Sequence, residues 1–184
     1  MDIHNFFSAL GAIIGIVAHI PLIIDIFKDE EGYSFTSFGL WSILDFIAAR
    51  NLFLQESDFL LSLVWGICAG TMALLLLFKR KVSWSWVETM VIILITITLT
   101  LWYFFGSRVA LISTISSLII ASIPQIKDTF LKPSRKVGRV YVIFTLGAFI
   151  SIFSANEVSL SALIYPVTAT VLCGLIMILS YRKK

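Results

Sequence analysis

The stretch that decides the fold is Ile16-Val17-Ala18-His19-Ile20-Pro21-Leu22-Ile23-Ile24-Asp25-Ile26-Phe27, because the chain carries it twice. The second copy lies 103 positions later and reads Ile119-Ile120-Ala121-Ser122-Ile123-Pro124-Gln125-Ile126-Lys127-Asp128-Thr129-Phe130. Without a gap, the same register places the basic cluster 79–81 on residues 182–184. Repeated units within apolar sequence indicate a membrane protein built by duplication.

The composition supports a lipid environment. Of the 184 residues, 59% are hydrophobic and the mean hydropathy is +0.98, more apolar surface than a soluble domain of this size can bury. Cys68 and Cys173 lie in apolar runs, so we interpret them as small hydrophobic residues rather than a disulfide, and no metal-ligand spacing occurs. Residues 1–4 lack the basic start of a signal peptide, so the first apolar run is expected to remain as a span.

Seven segments reach the roughly 20 helical residues that a bilayer core requires. The predicted spans are about 5–27, 34–54, 57–78, 84–105, 108–131, 138–155 and 158–180. The chain is therefore predicted to be an all-α integral membrane protein with seven transmembrane helices.

Basic residues set the predicted orientation. They gather on one side of the spans: Lys28, residues 79–81, Lys127, Lys132, Arg135, Lys136, Arg139 and residues 182–184. The other side keeps Arg50 and Arg108. By the positive-inside rule the N-terminus is outside and the C-terminus cytoplasmic. The net charge of +3 then reflects topology, and no nucleic-acid partner is expected.

The repeat divides the chain into three parts. Residues 1–82 form the first three-helix unit, residues 83–106 a linker helix, and residues 107–184 the second three-helix unit. Since three is an odd number, a single intervening span gives both units the same direction. We therefore predict two parallel repeats about an axis along the membrane normal.

The first span of each repeat unit ends in a similar sequence motif. Pro21 is followed by Glu31-Gly32-Tyr33-Ser34 and Trp41, and the second copy carries the dipeptide Pro124-Gln125. This pattern resembles the PQ-loop, and the 3+1+3 arrangement is similar to the SWEET and PQ-loop transporter superfamily across nearly the whole chain. The superfamily includes sugar carriers, amino-acid exporters, vitamin transporters and receptors for protein retrieval. Sugar carriers usually place Asn in the third helix of each unit, whereas residues 65–70 and 168–174 contain none.

Asp45 is the main candidate for a functional residue. It lies about 11 residues into span 2, roughly 16 Å from the inner face and close to the midplane. An ionised Asp there costs at least about 2.5 kcal/mol on insertion scales, so it should face a cavity or a partner, or be protonated. The alternatives are a substrate or proton site and a structural hydrogen bond. Trp41, one turn earlier, either forms a plate for a sugar ring or organic cation, or packs.

His19 lies at nearly the depth of Asp45, about 12 Å from the inner end of span 1. The two side chains either share a proton, or His19 donates to a backbone carbonyl. Its repeat partner is Ser122.

Paired residues near the cytoplasmic ends of spans 1 and 5 suggest sites of conformational change. Pro21 and Pro124 remove backbone hydrogen bonds, so they act either as hinges or as static kinks. Asp25 and Asp128 lie one turn further on, where a carboxylate opposes the helix dipole. They form either an inner gate latch or ordinary salt bridges, with three lysines as candidate compensating cations: Lys28, Lys127 and Lys132.

The resemblance places pocket walls on the third helix of each unit. The residues it implies there are Trp65, Cys68, Tyr165 and Thr168.

Two functions remain open from the sequence. One is alternating-access transport of a small polar solute (a sugar, amino acid or vitamin-like molecule) with Trp41 and Asp45 on one wall and proton coupling as an additional hypothesis. The other is a non-transporting membrane receptor or assembly protein of the same fold. An enzyme is not expected, since no nucleophile–base set or phosphate loop occurs, and no cofactor or metal is predicted. Membrane lipids are expected partners, the plasma or inner membrane is the expected location, and the sequence leaves a homo-oligomer open.

Overall fold

A computed structural model describes residues 2–28, 35–79 and 86–182 of the chain. Within these residues it contains seven α-helices and no strand, which confirms the predicted helical class and helix number. The helices are α1 (Ile3–Phe27), α2 (Phe35–Leu54), α3 (Leu60–Phe78), α4 (Trp86–Phe105), α5 (Ser107–Leu131), α6 (Arg135–Ser151) and α7 (Leu160–Ser180). A 3-10 turn, Ile152–Ser154, extends α6.

Short polar segments define where the helices begin. The Asp2 carboxylate accepts a hydrogen bond from the His4 backbone N–H, and the Ser159 hydroxyl accepts one from that of Ala162, so each caps the first turn of its helix. Gly106 separates α4 from α5 with a φ of 81°, a left-handed conformation that glycine adopts without strain. The chain therefore reverses within a single residue between these two helices.

Length and composition fit a protein embedded in lipid. Among the described residues, five helical stretches are long and apolar enough to cross a membrane: Ile3–Phe27, Leu60–Phe78, Ser107–Leu131, Arg135–Ser154 and Leu160–Ser180. Thr89–Phe105 of α4 is a shorter apolar stretch. Large apolar side chains such as Phe53, Ile67 and Val171 are exposed on the outside of the bundle, as expected where lipid replaces water.

Six helices form a closed ring. Its order is α1, α3, α2, α5, α7 and α6, and α6 returns to pack against α1. Helix α4 lies outside the ring, mainly against α5. Each neighbouring pair in the first half of the chain has a counterpart in the second half, since α1 packs on α3 as α5 does on α7, and α2 on α3 as α6 does on α7.

Small residues allow α1 and α6 to approach closely. A Cβ atom added at Gly11 would lie 2.9 Å from the carbonyl oxygen of Gly147, and one added at Gly147 would lie 3.1 Å from the carbonyl oxygen of Gly11. Such backbone contact is typical of helix packing in membranes, where small residues favour association.

Equivalent basic residues cap the ends of α1 and α5. Lys79 Nζ donates to the carbonyl oxygens of Ile26 (2.9 Å) and Phe27 (3.0 Å) and lies 5.8 Å from the centre of the Phe27 ring. Arg182 Nη2 donates to the Phe130 carbonyl (2.6 Å), and its Cζ lies 4.0 Å from the centre of that ring. The 103-residue offset relates residue 79 to 182 and residue 27 to 130. A cation at a helix C-terminus satisfies unpaired carbonyls and complements the helix dipole.

We expect Lys79→Gln and Arg182→Gln to cost similar amounts of stability, about 1 kcal/mol each, because each removes a cation from a helix C-terminus. Thermal unfolding of the purified protein in detergent micelles measures the loss. Lys132→Gln is the matched control, since Lys132 is exposed and its side chain makes no hydrogen bond or ion pair within the described part of the chain. A loss for only one of the two variants would contradict their equivalence.

Candidate functional site

A cavity of about 530 Å³ lies inside the ring of helices. All six ring helices contribute to its wall, and Val91 of α4 contributes from outside the ring. Its volume falls within the range of small-molecule sites.

The lining reflects the internal repeat. Seven pairs of lining residues are related by the 103-residue offset, with one member of each pair in either half of the chain. They are His19 and Ser122, Leu22 and Gln125, Asp25 and Asp128, Phe38 and Tyr141, Trp41 and Phe144, Trp65 and Thr168, and Ala69 and Leu172. The cavity therefore lies between the two halves and takes similar positions from each.

Asp45 lies at the deep part of the cavity, bonded to the opposite half of the chain. Its Oδ1 accepts a hydrogen bond of 2.8 Å from the hydroxyl of Tyr165 on α7, and both residues are buried. Within residues 2–28, 35–79 and 86–182, Asp45 forms no ion pair. The carboxylate thus has both features considered from the sequence: a hydrogen bond to a neighbouring helix and access to a cavity.

Aromatic rings line the same cavity as this carboxylate and contact its partner Tyr165. The Trp65 ring centre lies 5.2 Å from that of Phe144 and 6.4 Å from that of Tyr165. The Phe144 ring in turn packs edge-on against His19 at 4.7 Å, and Trp41 also lines the cavity. The wall near Asp45 therefore presents several π-faces and edges.

His19 bonds within its own helix. Its Nδ1 lies 2.7 Å from the Gly15 carbonyl oxygen. A carbonyl only accepts, so Nδ1 is the donor and, in the neutral ring, Nε2 is an acceptor. Ser122, the repeat partner, likewise donates to the carbonyl four residues earlier, that of Leu118, at 2.8 Å. The hydrogen bonds of His19 and Asp45 thus go to different partners, although both residues line the cavity.

An ion pair lies at the end of the cavity that we call the Asp25 end. Asp25 Oδ1 lies 2.9 Å from Lys136 Nζ, which joins α1 to the first turn of α6. The sequence interpretation considered Lys28, Lys127 and Lys132 as compensating cations. It did not include Lys136, which reaches Asp25 because α6 packs against α1. Asp128 is exposed at the same end and forms no ion pair with any described residue. Since Lys136 is also about half exposed, with 52% of its side chain accessible, the cavity meets the surface here.

The opposite end, which we call the Asp58 end, is closed. The Asp58 carboxylate accepts hydrogen bonds from the hydroxyl of Ser8 on α1 (2.8 Å) and from that of Ser154 after α6. It also caps α3 through the backbone N–H of Leu60 at 3.0 Å. Below it lies a packed apolar cluster that includes Leu52 and Leu111. The described residues therefore close this end, whereas the cavity meets the surface at the Asp25 end.

Most of the residues predicted from sequence line this cavity, and two do not. The lining ones are Trp41, Asp45, Trp65, Tyr165, Thr168, His19, Asp25, Asp128 and Pro124. Pro21 and Cys68 lie outside the lining. On α3, Ala69 faces the cavity, and Cys68 is rotated about 100° from it, because each helical residue turns by that angle.

Sequence reasoning missed Phe144, Lys136 and Asp58. The repeat register contains the signal for Phe144, because residue 41 aligns with residue 144 and both are aromatic. From the sequence alone, Lys136 serves only to set the orientation, and Asp58 has no predicted role. No short-range pattern marks either as a bridge between distant helices.

A comparison of the chain with models of protein families, with curated proteins and with solved structures finds no match.

Proposed function

We propose that this chain is a membrane transporter for a small polar solute, with an architecture similar to the SWEET and PQ-loop superfamily. Seven transmembrane helices form two parallel repeats, residues 1–82 and 107–184, joined by a linker helix at 83–106. The N-terminus is outside and the C-terminus cytoplasmic. The closed ring of six helices, the position of α4 outside it and the equivalent caps at Lys79 and Arg182 support this arrangement.

The single observation that carries the proposal is a cavity shared between the two halves, which meets the surface at the Asp25 end and is closed at the Asp58 end. Alternating access requires a central site that opens to either side in turn. In the proposed orientation the Asp25 end is cytoplasmic, so the structure corresponds to an inward-facing state. Opening the other side requires Asp58 to release Ser8 and Ser154, with Pro21 and Pro124 as weak points in α1 and α5.

Solute binds at the deep part of the cavity in this proposal. Asp45 and Tyr165 supply polar contacts, while Trp41, Trp65 and Thr168 form the adjoining wall. Proton coupling through Asp45, with His19 nearby, is a further part of the proposal. An imposed pH gradient should then drive uptake, and uptake that is indifferent to the gradient would exclude coupling.

The rival function is a non-transporting receptor or assembly protein. Its support is the basic surface formed by residues 132–136 and the C-terminal residues 182–184, of which 183 and 184 lie outside the described residues. Topogenic charges explain the same residues. A receptor for a cytosolic partner does not need a buried carboxylate in a deep cavity, so the cavity favours transport.

The two native cysteines provide the test. Cys173 lines the cavity, whereas Cys68 does not. We expect a small thiol reagent to block most solute uptake by proteoliposomes containing the Cys68→Ala protein, because the adduct on Cys173 occupies the cavity. The Cys173→Ala protein, which keeps Cys68, should remain active after the same treatment. Uptake is measured by counterflow with a panel of labelled sugars, amino acids and vitamin-like cations.

Two results would contradict the proposal. The first is that neither untreated protein takes up any solute of the panel although size-exclusion chromatography shows that both are folded. This result would favour the receptor function. The second is equal inhibition of both proteins, which would mean that solute does not pass through this cavity.

A further inference from the structure

We infer that the central cavity selects a small organic cation, an ammonium group attached to an apolar body, and binds it against Asp45. This inference rests on the proposed function, since it names the class of solute that the transporter carries. It follows from three properties of the cavity: its charge, its supply of hydrogen-bond donors and acceptors, and its aromatic wall.

The Asp45 carboxyl at the deep part of the cavity lacks a cationic partner among the described residues. Asp45 is only 6% exposed and has no ion-pair partner among residues 2–28, 35–79 and 86–182. Among the described lining residues the one lysine or arginine is Lys136, which lies at the Asp25 end and pairs with Asp25. Tyr165 donates a hydrogen bond to Asp45 but brings no positive charge. A buried carboxylate is most stable with a cationic partner, and the bound solute is in a position to supply one.

The polar groups nearby offer more acceptors than free donors. The Tyr165 hydroxyl donates to Asp45, His19 Nδ1 donates to Gly15, and the Ser122 hydroxyl donates to Leu118. What remains for a solute is the Asp45 carboxylate, the Nε2 lone pair of a neutral His19, and the Thr168 hydroxyl. Ammonium N–H groups match this set. A sugar requires donors and acceptors in similar number, and an anion bound here would lie next to the Asp45 carboxylate, which repels it.

The third property is the aromatic wall of the cavity. Trp65, Phe144 and Tyr165 are linked by ring contacts of 5.2 and 6.4 Å beside Asp45. Aromatic faces attract cations, and a desolvated site strengthens this attraction. The same rings accept the apolar body of the solute. A carboxylate next to clustered rings therefore distinguishes an organic cation from both a metal ion and a neutral polar solute.

The test compares two molecules of nearly the same shape. Phenethylamine is a cation at neutral pH, and phenethyl alcohol is its neutral counterpart. We expect the wild-type protein in detergent micelles to bind the amine at least about 10-fold more tightly than the alcohol, as measured by isothermal titration calorimetry. Asp45→Asn should reduce this preference to within about 3-fold, because it removes the charge and keeps the shape. Glu157→Gln, which neutralises an exposed carboxylate outside the cavity, should leave the preference unchanged.

Several outcomes would overturn the inference: equal binding of amine and alcohol, tighter binding of a neutral sugar, no binding of the amine, or a preference that survives Asp45→Asn. If Asp45→Asn does not fold, the affinities of the wild-type protein for the amine and for the alcohol still show whether the cavity selects a cation. The two proposals fail separately. Uptake of a neutral sugar without amine binding overturns the cation site and leaves the transporter, whereas amine binding without uptake of any solute overturns transport and leaves the cation site.

Discussion

Replacing Gly11 with leucine is expected to separate α1 from α6 and to destabilise the whole bundle. A Cβ atom at this position would lie 2.9 Å from the backbone carbonyl oxygen of Gly147, which cannot move unless α6 moves with it. Overpacking of this kind costs about 3 kcal/mol or more, which corresponds to roughly 10 °C in unfolding temperature for a chain of this length. Thermal unfolding in detergent micelles, followed by tryptophan fluorescence, measures the change.

Gly174→Ala is the control for this prediction. A Cβ atom at Gly174 meets only the Thr145 Cγ2, at 3.8 Å, which is ordinary contact. This variant should unfold at the wild-type temperature or slightly above it, because alanine favours a helix by about 1 kcal/mol over glycine. Gly11→Ala should fall between Gly11→Leu and the wild type. If Gly11→Leu unfolds like the control, α1 and α6 do not pack through these glycines.

The helices were largely predictable because hydropathy and polar joints are local signals. Six of the seven predicted spans end at the residue where a helix ends, from Phe27 of α1 to Ser180 of α7. The exception is the sixth, predicted as 138–155, whereas α6 begins at Arg135 and ends at Ser151 before a 3-10 turn. A span that begins at residue 138 leaves out the charged first turn of this helix. Helical backbone bonding does not depend on hydropathy, so a helix continues beyond its apolar stretch.

The cavity was only partly predictable. The depth of Asp45 in span 2 and the one-turn spacing led to Asp45 and Trp41, and the resemblance implied Tyr165; all three line the cavity. The hydrogen bond between Tyr165 and Asp45, however, joins α7 to α2, and no sequence pattern predicts that these two helices are in contact. The ion pair of Asp25 with Lys136 depends in the same way on α1 lying beside α6.

Removing the Asp58 carboxylate is expected to open the closed end of the cavity. Asp58→Ala eliminates the hydrogen bonds that tie the loop before α3 to Ser8 and Ser154. Two bonds to a charged, half-buried group contribute about 2–3 kcal/mol together, which shifts a two-state equilibrium roughly 100-fold. A cysteine at Leu52, a fully buried position in the apolar cluster below Asp58, reports the opening. Thiol labelling of Leu52→Cys, in a chain lacking Cys68 and Cys173, should become roughly 100-fold faster when Asp58→Ala is added.

Cys173 provides the reciprocal measurement. It lines the cavity that opens at the Asp25 end, so in Cys68→Ala protein its labelling should slow when Asp58→Ala favours the alternative state. Ser57→Ala is the matched control, because among the described residues the Ser57 hydroxyl bonds only to the Gln55 carbonyl of its own loop, at 3.3 Å. Faster labelling at both sites would indicate loosening of the whole bundle rather than alternating access. In alternating access one end of the cavity closes when the other opens. No change at either site would mean that Asp58 does not hold the end closed.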